Sequence, residues 1–305
     1  RVKEPLKKVG EVDNDMKRTY REVAKKMLGN NLTNDEIFKK IIPAIEQNKC
    51  INLKELTAPR SDLSKICAYY NNSQQTAFFY YDLCMYQPGQ GIGPGEILFS
   101  TLSQSIQKGG KGDLTIGTKG VEVKGSDEET GSGAGRMRDN DVFATRSTNY
   151  SKLAAKFLEK FPTENSTGWS LGTRGVMGMI AQEKDQAKKK TLEDYVIKLF
   201  NAVFPDSSYS ADFSKAIRTA DVKKAHYYYG LSNMQLYDKV KGGQQGYLFV
   251  DTSKGPPQTT YIENFTSVQK GLENGILKLK TSTPYIVAKR GQEKEIYPKV
   301  SLYPV

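Results

Sequence analysis

The chain has 305 residues, 37% of them hydrophobic and 26% charged, which suits one large globular domain or two modest ones. No apolar run approaches about 18 residues, so no transmembrane helix and no membrane partner are expected. The net charge of +11 draws polyanions, nucleic acid first among them, although surplus lysine also serves solubility alone.

In chain order, the first ten residues are basic and lack the apolar core of a secretory signal. Residues 1–90 read as a helical N-terminal region. Asn34, Asp35 and Glu36 open an amphipathic run through Ile37, Ile41, Ile42 and Ile45. A second run from Ser61 to Tyr70 sets Leu63, Ile66 and Cys67 on one face, and an aromatic helix is predicted from Thr76 to Tyr86. The breaker-rich stretch Pro88 to Gly95 precedes a helix predicted from Glu96 to Gln107, closed by the glycine-rich run 108–112. Two strands should follow, Asp113 to Ile116 and Val121 to Lys124, joined as a hairpin. Helices are expected at 149–160, 191–203 and 212–229, a buried strand at Tyr247 to Asp251, and short strands with a helix around 265–273. This alternation implies an α/β domain. Its expected divisions are the helical region 1–90, an α/β core over 91–258 with a helical insertion at about 140–225, and a C-terminal part over 259–305.

Side-chain types narrow the chemistry. The three cysteines, Cys50, Cys67 and Cys84, are odd in number, and the one histidine is His226. A disulfide framework, a zinc site and a His-dependent triad are therefore all disfavoured, and a reducing, cytoplasmic compartment is expected. Catalysis, if present, falls to carboxylates, lysine and a hard metal.

The hairpin carries such a set. With Thr118 and Lys119 as the central turn residues, Asp113 opposes Lys124 and Thr115 opposes Glu122. Leu114, Ile116, Val121 and Val123 then share the apolar face, and Asp113, Glu122 and Lys124 collect on the other. Two carboxylates at one sheet edge repel unless a cation neutralises them. Mg²⁺ or Mn²⁺ suits them, taking its other ligands from water or phosphate oxygens. Lys124 adds a positive charge able to orient or deprotonate a water, or to stabilise a pentacovalent phosphate.

Asp113 followed by Glu122-Val123-Lys124 on an apolar strand resembles the PD-(D/E)XK, or restriction-endonuclease-like, nuclease superfamily. The resemblance implies a central mixed sheet flanked by helices and hydrolysis of phosphodiester bonds, most readily in DNA. It gives Asp113 and Glu122 as metal ligands, Lys124 as the residue assisting water and the transition state, and Glu96, from the preceding helix, as a further ligand or support. Gly112 stands where that superfamily often has proline. The resemblance covers roughly 91–130 well and the strand near 250 loosely.

Arg136 and Arg138, in the loop after the hairpin, and Lys111, Lys223 and Lys224 are candidate phosphate contacts. A mobile loop and solvated helix faces are the competing readings for them. The tyrosines at 227–229 can stack on bases, but such residues are more often core or partly buried helix positions. Gly109 to Gly112 lacks the spacing of a phosphate-binding P-loop. Two further functions fit the same residues. One is a non-enzymatic virion or DNA-packaging protein of phage that keeps a nuclease-like fold within a larger assembly. The other is a restriction endonuclease acting as a homodimer.

Overall fold

The computed structural model describes residues 51–66, 95–96, 99–100, 103, 105–109, 112–125, 152–157, 159–161, 171, 173, 175–242, 246–251, 257–285, 288–289, 292–293 and 297–305. The helices expected from Asn34 and from Thr76, the three cysteines, and Lys111, Arg136 and Arg138 lie outside the described residues. The described residues of segments 1–135 and 241–270 form one compact unit, and those of 136–240 and 271–303 a second.

The first unit is built on a six-stranded mixed sheet in the order β1-β6-β5-β4-β3-β2. Its strands are β1 (Ser61–Asp62), β2 (Ile106–Lys108), β3 (Leu114–Ile116), β4 (Lys119–Gly125), β5 (Gly246–Asp251) and β6 (Gln258–Ile262). The strands β2, β3 and β4 form an antiparallel meander. Parallel pairing of β4 with β5 then sets Glu122 beside Tyr247 and Lys124 beside Phe249. A parallel pair needs a long crossover, and here the chain between the two strands runs through the helices of the second unit. β5 reads as a continuous apolar run because it is interior: Tyr247 and Leu248 are 0% exposed and Phe249 1%.

Several expectations are corrected. Ile106 to Lys108 is strand, not the end of the helix that begins near Glu96. Its apolar residue Ile106 is buried by pairing with Ile116, a burial that helical and strand readings of a short run share. The hairpin register is shifted by two residues, with Ile116 opposite Lys119 and Leu114 opposite Val121. Gly117 and Thr118 are thus the central turn residues. Gly117 takes φ +63°, which suits the glycine of a type II′ hairpin turn. A shift of two preserves the faces, so Leu114 and Val121 remain buried together. Within the described part of 1–90, the region expected to be helical also contributes a strand. There α1 (Leu53–Leu56) is capped by Asn52, and α2 (Leu63–Ile66) follows the edge strand β1.

The second unit is mainly helical. It holds helical residues at 152–157 and 159–160, then α3 (Val176–Gln182), α4 (Gln186–Val203), α5 (Ser210–Arg218) and α6 (Val222–Val240). α4 starts earlier than expected because the Asp185 side chain accepts from the N–H groups of Ala187 and Lys188 at 2.9 and 3.1 Å. One helix was expected over 212–229, but α5 and α6 are separate. Ala220 turns left-handed at φ 50°. The N–H of Ala220 donates to Ile217 O at 3.0 Å and that of Asp221 to Ala216 O at 2.9 Å, the bonding of a Schellman cap. Asp221 then accepts from the Lys224 N–H and opens α6. Phe200, Phe204, Phe213 and Tyr229 fill the core, with the Phe200 and Phe213 rings stacked at 3.9 Å between centroids. The helix expected near 265–273 is α7 (Phe265–Glu273), and β7 (Leu277–Tyr285) pairs with β10 (Tyr297–Pro304), while β8 (Ala288–Lys289) pairs with β9 (Gln292–Glu293). No helix among the described residues is long and apolar enough to cross a membrane.

Candidate active site

The meander brings Asp113, Glu122 and Lys124 together. Glu122 and Lys124 are two residues apart on β4 and so face the same way. Lys124 Nζ donates to Glu122 Oε1 at 2.5 Å and lies 3.9 Å from Asp113 Oδ2. Asp113 sits just ahead of β3, where the pairing with β4 stops. Its carboxylate accepts the Val123 N–H at 2.8 Å, taking a donor that a longer β3 would have paired. The Gly109 N–H donates to Asp113 O at 2.8 Å, and the Thr115 hydroxyl donates to Gly109 O at 2.8 Å. These two bonds tie Gly109, at φ +84°, to the residues around Asp113.

Burial makes these charges consequential. Glu122 is 2% exposed, and its cross-strand neighbour is the buried Tyr247. In such surroundings a charge is weakly screened. Burial pushes the Asp113 carboxyl above its ordinary range, and the Glu122 charge adds to this; Lys124, the Val123 N–H and Lys241 pull the other way. Burial alone lowers the Lys124 ammonium, but Glu122, Asp113 and Glu96 outweigh it and hold the group above its ordinary value. Lys124 is thus a firmly protonated cation between two carboxylates.

Glu96 lies in a helical turn in which the Ser100 hydroxyl donates to Glu96 O at 2.5 Å. It is 9% exposed, and its charge reaches Lys124. Gly95 explains how this turn approaches the sheet. A Cβ at Gly95 meets Val123 Cγ1 at 2.7 Å and Val250 Cγ2 at 3.7 Å. The missing side chain lets the backbone rest on β4 and β5. Gly95→Val should therefore cost about 1–3 kcal/mol by overpacking, read by urea unfolding, with the charge set itself unaltered. An unchanged midpoint contradicts this packing.

Lys223 and Lys224 stand exposed at the start of α6 in the second unit, and Lys224 pairs with Asp221 at 3.3 Å. The neighbouring tyrosines divide: Tyr229 is buried against Phe204 with rings 5.1 Å apart, while Tyr228 stacks on Tyr209. Two contributors to the site have no sequence signature. Lys241 follows α6 and reaches Asp113 only through the fold, and Gly95 matters through a contact with a distant strand.

No protein-family model, curated protein or solved structure matches the chain.

Among the described residues, no group of three or more acidic, histidine or cysteine side chains is disposed to hold a metal ion. The carboxylates that come together at the site are Asp113 and Glu122, both within 4 Å of Lys124 Nζ. Mg²⁺ needs as few as one or two protein carboxylates, and here two converge on one cationic centre, one of them nearly inaccessible to solvent.

Proposed function

We propose that the chain is a metal-dependent nuclease that hydrolyses phosphodiester bonds in DNA, with Asp113, Glu122 and Lys124 as its working residues. The observation that carries this reading is the convergence of both carboxylates on the Lys124 ammonium at the edge of the meander. The element order adds to it. A helical turn bearing Glu96, a hairpin, a helical region and a strand parallel to β4 follow one another as the PD-(D/E)XK resemblance implies.

Asp113 and Glu122 would hold Mg²⁺ or Mn²⁺, with Glu96 supporting. Such an ion, when bound, acidifies a water and offsets charge at the scissile phosphate. Asp113 is oriented for its part by the Val123 N–H. Lys124, held protonated by its two carboxylates, serves as the fixed cation facing a phosphate oxygen whose charge grows in the transition state.

The test is incubation with supercoiled plasmid, linear duplex, single-stranded DNA and RNA, each with Mg²⁺, Mn²⁺ or EDTA. Cutting of DNA with either ion and none in EDTA is expected. Absence of cutting on all four substrates contradicts the reading.

One observation favours a second function. The direct closure of Lys124 on Glu122 at 2.5 Å neutralises the buried acid without any ion. That suits a dormant nuclease-like module in a DNA-packaging or virion assembly, which would bind DNA and leave it intact.

A further inference from the structure

We propose that the second unit carries a ridge that binds the nucleic-acid backbone, formed by Lys152, Lys156 and Lys160 on one helix and Lys188 and Lys198 on α4. It rests on the nuclease reading only for the identity of the polyanion. Lys152, Lys156 and Lys160 are helical and exposed. Their four-residue spacing places them on one face, about 6 Å apart along the axis. Lys188, Tyr195 and Lys198 share a face of α4 by the same geometry.

The two helices meet through aromatic contacts. The Tyr195 ring lies 6.3 Å from Phe157 and 6.1 Å from Phe161 between centroids. Lys160 Nζ stands 5.6 Å from the Tyr195 centroid and Lys198 Nζ 5.7 Å. Two ammonium groups from different helices thus converge on one ring. The ring attracts each of them but leaves their positive charge in place. Among the described residues, no carboxylate forms an ion pair with any of the five lysines. Glu159 is exposed beside Lys160, and Glu193 and Asp194 are engaged by Arg218.

A concentrated, unneutralised row of cations fits a partner whose own charges repeat along a line. A nucleic-acid strand is such a partner, since each neutralised phosphate releases condensed counterions. A lipid surface fits less well. Membrane-surface helices pair a basic face with exposed apolar residues, whereas Phe157 is fully buried and none of the exposed large apolar residues among those described lies on these helices.

The experiment measures binding of the full chain to a fluorescein-labelled random-sequence DNA duplex in EDTA, across a salt series. Binding is then read without cutting. A variant with Lys152, Lys156, Lys160 and Lys198 all changed to Gln is compared with wild type. A second variant carries Lys54, Lys65, Lys215 and Lys270 all changed to Gln and matches it in charge. Each lost phosphate contact lowers the salt slope by about 0.9. The ridge variant should therefore lose up to about 3.6 units of slope and at least about tenfold in affinity near 100 mM salt, with the control close to wild type. Equal losses in both variants, or none in the ridge variant, overturn the proposal. So does ridge-dependent binding to phosphatidylserine vesicles without binding to the duplex. Loss of the ridge effect leaves metal-dependent cutting to be judged separately, and an inactive protein that binds through the ridge refutes the nuclease reading alone.

Discussion

Lys124→Ala should abolish cutting and also destabilise the fold by about 3 kcal/mol, the scale for removing one partner of a buried ion pair. The reason lies in Glu122. It is 2% exposed, and Lys124 donates to it at 2.5 Å. Without Lys124 the buried carboxylate keeps Asp113 as a negative neighbour and loses the cation that both share. The loss should be read as a lower urea midpoint with an unchanged slope. Changing Glu122→Gln and Lys124→Met together should restore part of that stability, since the Glu122 charge is removed along with its partner and Asp113 keeps the Val123 N–H and the charge of Lys241. If Lys124→Ala unfolds at the wild-type midpoint, the pair is not the buried structural element described here.

Divalent metal should stabilise the wild-type protein and fail to stabilise Asp113→Asn. At about one hundred times its dissociation constant an ion bound only to the folded state contributes roughly 2.7 kcal/mol, visible as a rise in Tm. The metal-free comparison has a definite sign. Asp113 titrates above its ordinary range because of burial first and the Glu122 charge second. Such a group favours folding at pH below its unfolded pKa, and that contribution disappears as pH rises through the folded value. At neutral pH the carboxylate therefore costs the metal-free fold. Asn keeps an oxygen for the Val123 N–H and removes the charge. Asp113→Asn should thus be at least as stable as wild type in EDTA and less stable than wild type in Mg²⁺. A parallel response of the two proteins to metal contradicts Asp113 as a ligand.

The legibility of this fold in its sequence follows the physics of each signal. The strand Tyr247 to Asp251 and the helix near 265–273 were readable because apolar runs and helical periodicity act locally. The pairing of faces in the hairpin was readable even though its register was not. Period-2 alternation fixes which side a residue takes, while the turn, here Gly117 with Thr118, sets the partner. The break between α5 and α6 was hidden because an alanine, Ala220, occupies the left-handed position where glycine is the usual sign. Strand β2 was absorbed into a helix because Ile106 is buried under either reading.

The candidate site divides along the same line. Asp113, Glu122 and Lys124 were legible from alternation within a short segment. Glu96 was placed by its position in the helix ahead of the hairpin, and its charge does reach Lys124. Lys241 depends on the return of the chain to the sheet after α6, and the row of lysines on the second unit depends on which helix faces pack together at Tyr195. No local pattern encodes the first; in the second the four-residue spacing of Lys152, Lys156 and Lys160 is local, and only their meeting with α4 at Tyr195 is not.

The most direct test of the central claim is plasmid cutting in Mg²⁺ by wild type and by the Glu122→Gln, Lys124→Met double variant. That variant removes one charge of each sign and should retain the fold. The account predicts ion-dependent cutting by wild type and none by the folded double variant. Equal cutting by the two proteins contradicts it.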